Sequence, residues 1–144
     1  MMSEESKTKE AKGSCLCGKV SMQFQHVSTA LGACHCRMCR KWGGSALLAL
    51  SSGTQVTIEG EEHITAYSSS AWAERGFCKH CGTHLFYKLK QAQSYTVPLG
   101  FFEELSGLTF QHEIFIDEKP DCYAFAGERE TMTGAEVFAK YGAG

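Results

Sequence analysis

The 144-residue sequence has no long apolar run. Its longest aliphatic stretch, Ala46-Leu47-Leu48-Ala49-Leu50, is far short of the roughly 20 residues that cross a bilayer as a helix. The opening MMSEESKTKEAK is polar and charged, and lacks the apolar segment and small-residue cleavage site of a secretory leader. There is little charge of either sign in excess. The formal net charge is −2, and Lys and Arg are scattered, so the footprint of a nucleic-acid binder is missing. No repeat, low-complexity tract or linker interrupts the chain. What remains is a soluble, cytosolic protein with one domain and one core, expected to engage neither membrane nor nucleic acid. Residues 1–12 read as a flexible tail and residues 13–144 as the domain.

Against these absences stand eight cysteines. In a reducing compartment, clustered cysteines are more often metal ligands or redox groups than disulfide partners. They fall as Cys15-Leu16-Cys17-Gly18, Cys34-His35-Cys36-Arg37-Met38-Cys39, Cys78-Lys79-His80-Cys81-Gly82 and a lone Cys122. Short spacings followed by glycine suit a knuckle in which the backbone turns tightly around a metal.

A structural zinc takes four protein ligands. Cys15 and Cys17, paired with Cys78 and Cys81, supply four from distant parts of the chain and close a loop of about sixty residues. Cys34, Cys36 and Cys39 are then left as three thiols on one short segment. Catalytic zinc sites keep three protein ligands and an open position. Three thiolates on Zn²⁺ carry a net negative charge, which makes a poor generator of hydroxide but a good site for a soft ligand such as a thiol. Sulfur chemistry at a second zinc is therefore expected, giving two Zn²⁺ per chain. The alternatives are a closed second structural site, with a histidine or Cys122 as fourth ligand, or a redox role for Cys36 and Cys39.

The remaining pattern reads as mainly β. Val20, Met22 and Phe24 alternate with polar residues, as in a half-buried strand. Residues 45–50 read as a buried strand. Residues 56–58 and 64–67, separated by Gly60, suggest a hairpin. Residues 74–77 and 85–89 flank the Cys78–Cys81 knuckle as strand–knuckle–strand. Residues 94–99 and 108–116 add two more strands. A short helix is expected within residues 36–42, and another over residues 135–141, where Thr133 and Glu136 fit a capping box.

The motifs GSCLCGKV, CHCRMCRKWGG and FCKHCGTHLF, in this order, resemble the glutathione-dependent formaldehyde-activating enzyme family, which includes the centromere protein V domain. The later HEIFIDEKPDCY is similar to a stretch of the same family, and the resemblance spans about residues 13–123. It implies a single-domain, zinc-stapled β-tent fold built around a zinc ribbon. It implies Cys15, Cys17, Cys78 and Cys81 as structural zinc ligands and Cys34, Cys36 and Cys39 as catalytic zinc ligands. The implied activity is a carbon–sulfur lyase reaction, the reversible addition of glutathione to formaldehyde giving S-hydroxymethylglutathione; a monomer or homodimer is expected. The chain departs from the family's usual residues at Gly100-Phe101-Phe102-Glu103 and at Cys122, positions expected near a ligand pocket.

Other residues have two readings each. His112 is a candidate general base or substrate-orienting group near the metal, or a hydrogen-bonded core histidine. Arg37, Arg40 and Lys41 are candidate substrate-binding residues, because a basic rim suits the two carboxylates of glutathione; otherwise they are solvated surface charge. His35 is expected to point away from the metal, His80 to face solvent, and His84 to pack. Trp42, Phe101 and Phe102 line a pocket or fill the core. Two rival functions belong to other classes: a non-catalytic zinc module that recognises a protein or small ligand, and a redox-responsive zinc switch.

Overall fold

Strand alternation organises the fold. In β2 (Ser21–Ser28), Met22 and Phe24 are buried while Gln25 is exposed. The pairing of β2 with β1 (Thr8–Ser14) shifts register between Lys9 and Ala11. This bulge lets Val27, of opposite parity, also turn inward. A computed structural model describes residues 7–104 and 106–142, with eleven strands and two α-helices among them. Among the described residues the first strand is β1, which begins before Gly13. The expectation of a tail through Lys12 is corrected for Thr8–Lys12, because β1 finds a partner edge on β2 and buries Ala11. Residues 1–6 lie outside the described residues.

The strands form two sheets. One has three strands, β1-β2-β5, with β5 at Val56–Glu59. The other has eight, ordered β11-β10-β3-β4-β9-β8-β7-β6. Its members are β3 (Ala30–Cys34), β4 (Leu47–Gly53), β6 (Ile64–Ser68), β7 (Ala73–Cys78), β8 (His84–Leu89), β9 (Tyr95–Pro98), β10 (Thr109–Ile114) and β11 (Glu130–Met132). β10 runs parallel to both β3 and β11; the other named pairs are antiparallel. The core lies between the sheets, where Phe24 meets Tyr95 and Phe102 edge-on at 5.5 and 6.1 Å beside Leu50, Leu85 and Val97. Phe101 and Phe102 belong to this core.

The expected hairpin of residues 56–58 and 64–67 does not form. β5 pairs with β2, and β6 pairs with β7 in the other sheet. Gly60 turns at φ +85°, and a 3-10 turn over Glu61–His63 carries the chain between the sheets. A Cβ at Gly60 would lie 1.9 Å from the Lys19 carbonyl oxygen, so this crossing requires glycine. The strand–knuckle–strand of β7 and β8 is present, as are both expected helices, α1 (Arg37–Gly43) and α2 (Gly134–Tyr141). At α2 the Thr133–Glu136 capping box closes in both directions.

Candidate metal centres

The thiols converge in two groups. Within each, the sulfur atoms lie within 4.8 Å of one another: Cys15, Cys17, Cys78 and Cys81 in the first, and Cys34, Cys36 and Cys39 in the second.

In the first group two turns face each other. Cys78 ends β7 on a turn closed by the Gly82 amide donating to the Cys78 carbonyl at 2.8 Å. Opposite it, the Gly18 amide donates to the Cys15 carbonyl and the Val20 amide to Cys15 Sγ. Thr83 ties the turns together. Its Oγ1 accepts from the Leu16 amide at 3.0 Å and reaches Cys81 Sγ at 3.2 Å. Those contacts bring the Cys81 thiol down to about 5, led by the Thr83 hydroxyl. The sequence did not single out Thr83; its only signal is a hydroxyl two residues after a ligand. Sulfur separations of 3.6 Å (Cys15–Cys17) and 3.7 Å (Cys17–Cys78) test the fit to zinc. Thiolates about 2.3 Å from a tetrahedral zinc lie about 3.8 Å apart, so this donor set matches in chemistry and in size.

The second group is built at the junction of β3 and α1. Cys34 ends β3, and Cys36 is the N-cap of α1, its Sγ accepting from the Cys39 amide at 3.3 Å. A cap and the third helical residue place both sulfurs at the helix N-terminus. The three thiols share their protons unequally. Hydrogen bonds from Cys34 and Cys39 bring Cys36 down to about 2, and the same bonds, with burial, push Cys34 far up. Three sulfurs this close repel one another as anions, and a soft dication is what lets all three be thiolates. Among the described residues no fourth His, Cys, Asp or Glu ligand atom joins the set.

His35, between two of these cysteines, points away from them as expected. It is fully buried, with Nε2 2.7 Å from Glu113 Oε1 and Nδ1 2.9 Å from the Tyr123 hydroxyl. Arg129 Nη1 donates to the other Glu113 oxygen. The His35 amide donates to the Ile114 carbonyl, and its own carbonyl accepts from Arg40 Nε at 2.8 Å. The cysteine segment is therefore clamped on both sides. Glu113 and Arg129 were missed by the sequence reading, because the parallel β3–β10 pairing that aligns Glu113 with Ala33 leaves no local signal.

The structure brings Arg37, Arg40 and Lys41 to one open cleft of about 540 Å³, which Cys122 and Tyr123 also line. Of the two departures from family pattern, Cys122 borders this cleft, and in the other stretch Phe101 and Phe102 pack in the core while Glu103 lines a separate cleft with Lys12 and Glu59. His112 is placed elsewhere. It is buried on β10 against Gly32, where a Cβ would meet its Nε2 at 2.0 Å, and its Nδ1 has no hydrogen-bond partner. Burial pushes it below the usual histidine range. His84 stacks on Trp42 at 4.0 Å with planes 7° apart, and exposed His80 meets His63 at 2.8 Å.

A family model described as glutathione-dependent formaldehyde-activating enzyme matches residues 10–118. An uncharacterized lyase of Schizosaccharomyces pombe is 35% identical over 129 residues, covering 89% of this chain and 94% of that protein. A Rhodobacter sphaeroides protein solved as a structural-genomics target superposes with a TM-score of 0.56 at 24% identity, over 67% of this chain and 91% of that one. The last likeness bears on fold alone. No helix among the described residues is long and apolar enough to cross a membrane.

Proposed function

The chain belongs to the glutathione-dependent formaldehyde-activating enzyme family, and from that premise we propose that it is a zinc-dependent carbon–sulfur lyase-like enzyme adding glutathione reversibly to formaldehyde. The observation that carries the reading is the three-sulfur set of Cys34, Cys36 and Cys39, which no fourth ligand from the described residues completes. Cys15, Cys17, Cys78 and Cys81 hold the structural zinc in this reading. Zinc held by the three cysteines supplies a soft Lewis-acid position that favours the thiolate form of an incoming thiol.

The chain's own residues do the rest. Arg37, Arg40 and Lys41 line the cleft beside α1, and their charges suit a substrate with two carboxylates. The His35–Glu113–Arg129 clamp holds the cysteine segment in one geometry, so thiol and aldehyde meet already positioned. In the reaction, sulfur forms a bond to the aldehyde carbon. The carbonyl π pair becomes the oxygen lone pair that takes up the proton lost by the thiol. His112 has no part in this reading, because its ring is packed against Gly32 outside the convergent sulfurs.

The test is metal content with turnover, for wild type and Cys36→Ser purified without chelator. The expected result is two zinc ions per chain falling to one, with loss of thiol–formaldehyde turnover above the uncatalysed background. A folded Cys36→Ser protein with wild-type turnover would refute the mechanism. One zinc in both proteins would leave a non-catalytic zinc module as the better reading.

A further inference from the structure

Arg75 is a cation buried in an unusual place. It lies on β7, only 4% exposed, and no carboxylate pairs with it among the described residues. Its Nη1 and Nη2 point at Cys39 Sγ, 3.8 and 3.7 Å away. Its guanidinium carbon sits 5.1 Å from the Trp42 ring centroid and 5.0 Å from that of Tyr87. Trp42 follows Cys39 by three residues on α1, and Tyr87 is the β8 partner of Arg75 across the ladder. Helix and hairpin thus grip the guanidinium through two aromatic faces and one sulfur.

Burying a cation away from water is costly unless negative charge compensates it. The aromatic faces compensate in part. The groups left to balance the charge are the three cysteines, and Cys39 is the one Arg75 touches. Three thiolates and a zinc ion sum to −1, and Arg75 brings the total to zero. An anionic thiolate entering as fourth ligand raises the charge to −1 with Arg75 present, and to −2 without it.

We infer that Arg75 is the positioning residue and counter-ion of the three-cysteine metal centre, fixing Cys39 as a ligand and making room electrostatically for an anionic fourth ligand. The inference rests on the reading that this triad holds zinc. The guanidinium's contacts are with Cys39, Trp42 and Tyr87. It acts through Cys39, so its signature is in metal and thiol affinity.

The experiment measures zinc affinity by chelator competition in wild type, Arg75→Gln and Arg75→Lys, using the four-cysteine site as internal reference. The same proteins loaded with Co²⁺ are then titrated with glutathione and followed by the thiolate-to-cobalt absorption. The expected result is a 10- to 100-fold loss of affinity at the triad in Arg75→Gln, the range found when an outer hydrogen-bond partner of a metal ligand is removed. The four-cysteine site keeps its metal, and glutathione binds the cobalt form more weakly. Arg75→Lys, which keeps the charge but not the forked donors, falls between. Equal losses in the Lys and Gln variants would overturn the counter-ion role, and so would a folded Arg75→Gln protein whose triad affinity is within twofold of wild type. Should Arg75→Gln not fold, Arg75→Lys decides alone: triad affinity at or below a hundredth of wild type overturns the charge role, and partial retention supports it. If wild type itself binds one metal, the proposed function falls and this inference with it, an outcome distinct from failure in a two-metal protein.

Discussion

Replacing Glu113 tests whether the clamp behind the cysteine segment holds the fold together. Glu113 is 7% exposed and sits between fully buried His35 and Arg129, whose side chain is 7% exposed. Arg129 also lies 3.9 Å from the Phe110 ring centroid, so the Phe110 face and the Ala126 carbonyl are what its guanidinium keeps once its carboxylate is gone. Removing one partner of a buried ion pair costs about 3–5 kcal/mol, because the other charge stays buried and unpaired. For a domain of this size Glu113→Ala should lower the melting temperature by about 10–17 °C. Glu113→Gln keeps the shape and one acceptor for His35, and should cost about 1.5–3 kcal/mol, the worth of a charged hydrogen bond. Combining Glu113→Leu with Arg129→Met removes both charges and should recover much of the loss seen in Glu113→Ala.

The pH dependence provides an independent sign. Burial pushes the Glu113 carboxyl up, but hydrogen bonds from His35 and Arg129 outweigh it and hold the group below its ordinary value of 4.5. A depressed carboxyl contributes stability that is fully present above about 4.5 and lost as pH falls through the folded value. The gap between wild type and Glu113→Gln should therefore stay constant from pH 7 to about pH 5 and close below it, at matched metal content. Thermal unfolding by circular dichroism measures all of this. A Glu113→Gln protein within about 0.5 kcal/mol of wild type, the range of an indifferent surface change, would refute the reasoning.

Two further substitutions probe the neighbours of the metal clusters. Gly32→Ala places a methyl 2.0 Å from His112 Nε2 and should destabilise by about 1–3 kcal/mol, an overpacking cost that His112→Ala in the same chain relieves; denaturant unfolding compares the single and double variants. Thr83→Val removes the acceptor for the Leu16 amide and the hydroxyl on Cys81, and should weaken the four-cysteine metal roughly tenfold in chelator competition while leaving the triad metal in place.

What could be read from the sequence was local chemistry. The short helix within residues 36–42, the Thr133–Glu136 box, the alternation of Met22 and Phe24 and the Cys34–Cys39 triad each depend on residues a few positions apart, and each appears in the structure; the four-cysteine group, about sixty residues apart, was legible only because each half is itself a short motif. β3 escaped because Ala30, Gly32 and Ala33 are too small to leave a hydrophobic period, although Ala30 and Ala33 are buried at 5% and 2% exposure. The supposed hairpin at Gly60 failed for a related reason. Both strands were recognisable, but strand identity does not reveal which sheet each strand joins. The clamp was hidden more deeply, since it needs β3 beside β10 in parallel, a pairing of residues 78 apart. Arg75 left one faint trace, a cation inside the expected strand of residues 74–77, three residues before Cys78.

That trace gains meaning from the two faces of one hairpin. Side chains alternate along a strand, so Arg75 faces α1 while Gly76 and Cys78 face the core. The register shift between Gly76 and Phe77 sits between them, and the turn beyond Cys78 is the one that the four-cysteine cluster closes. His84, the first residue of β8, stacks on Trp42, whose ring also meets Arg75. A metal at the four-cysteine cluster therefore fixes the hairpin end that delivers His84, and with it the stack that seats Arg75 against Cys39. The two clusters are separate in ligands but joined through this column. The β7–β8 register that ends at the four-sulfur site is also the one that sets Arg75 opposite Tyr87. Four thiolates at the first site carry a charge that exposed Cys17 can share with water. Buried sulfurs occur at both sites, Cys15 and Cys78 in the first and Cys39 in the second, and Cys39 is the one with a guanidinium set against it.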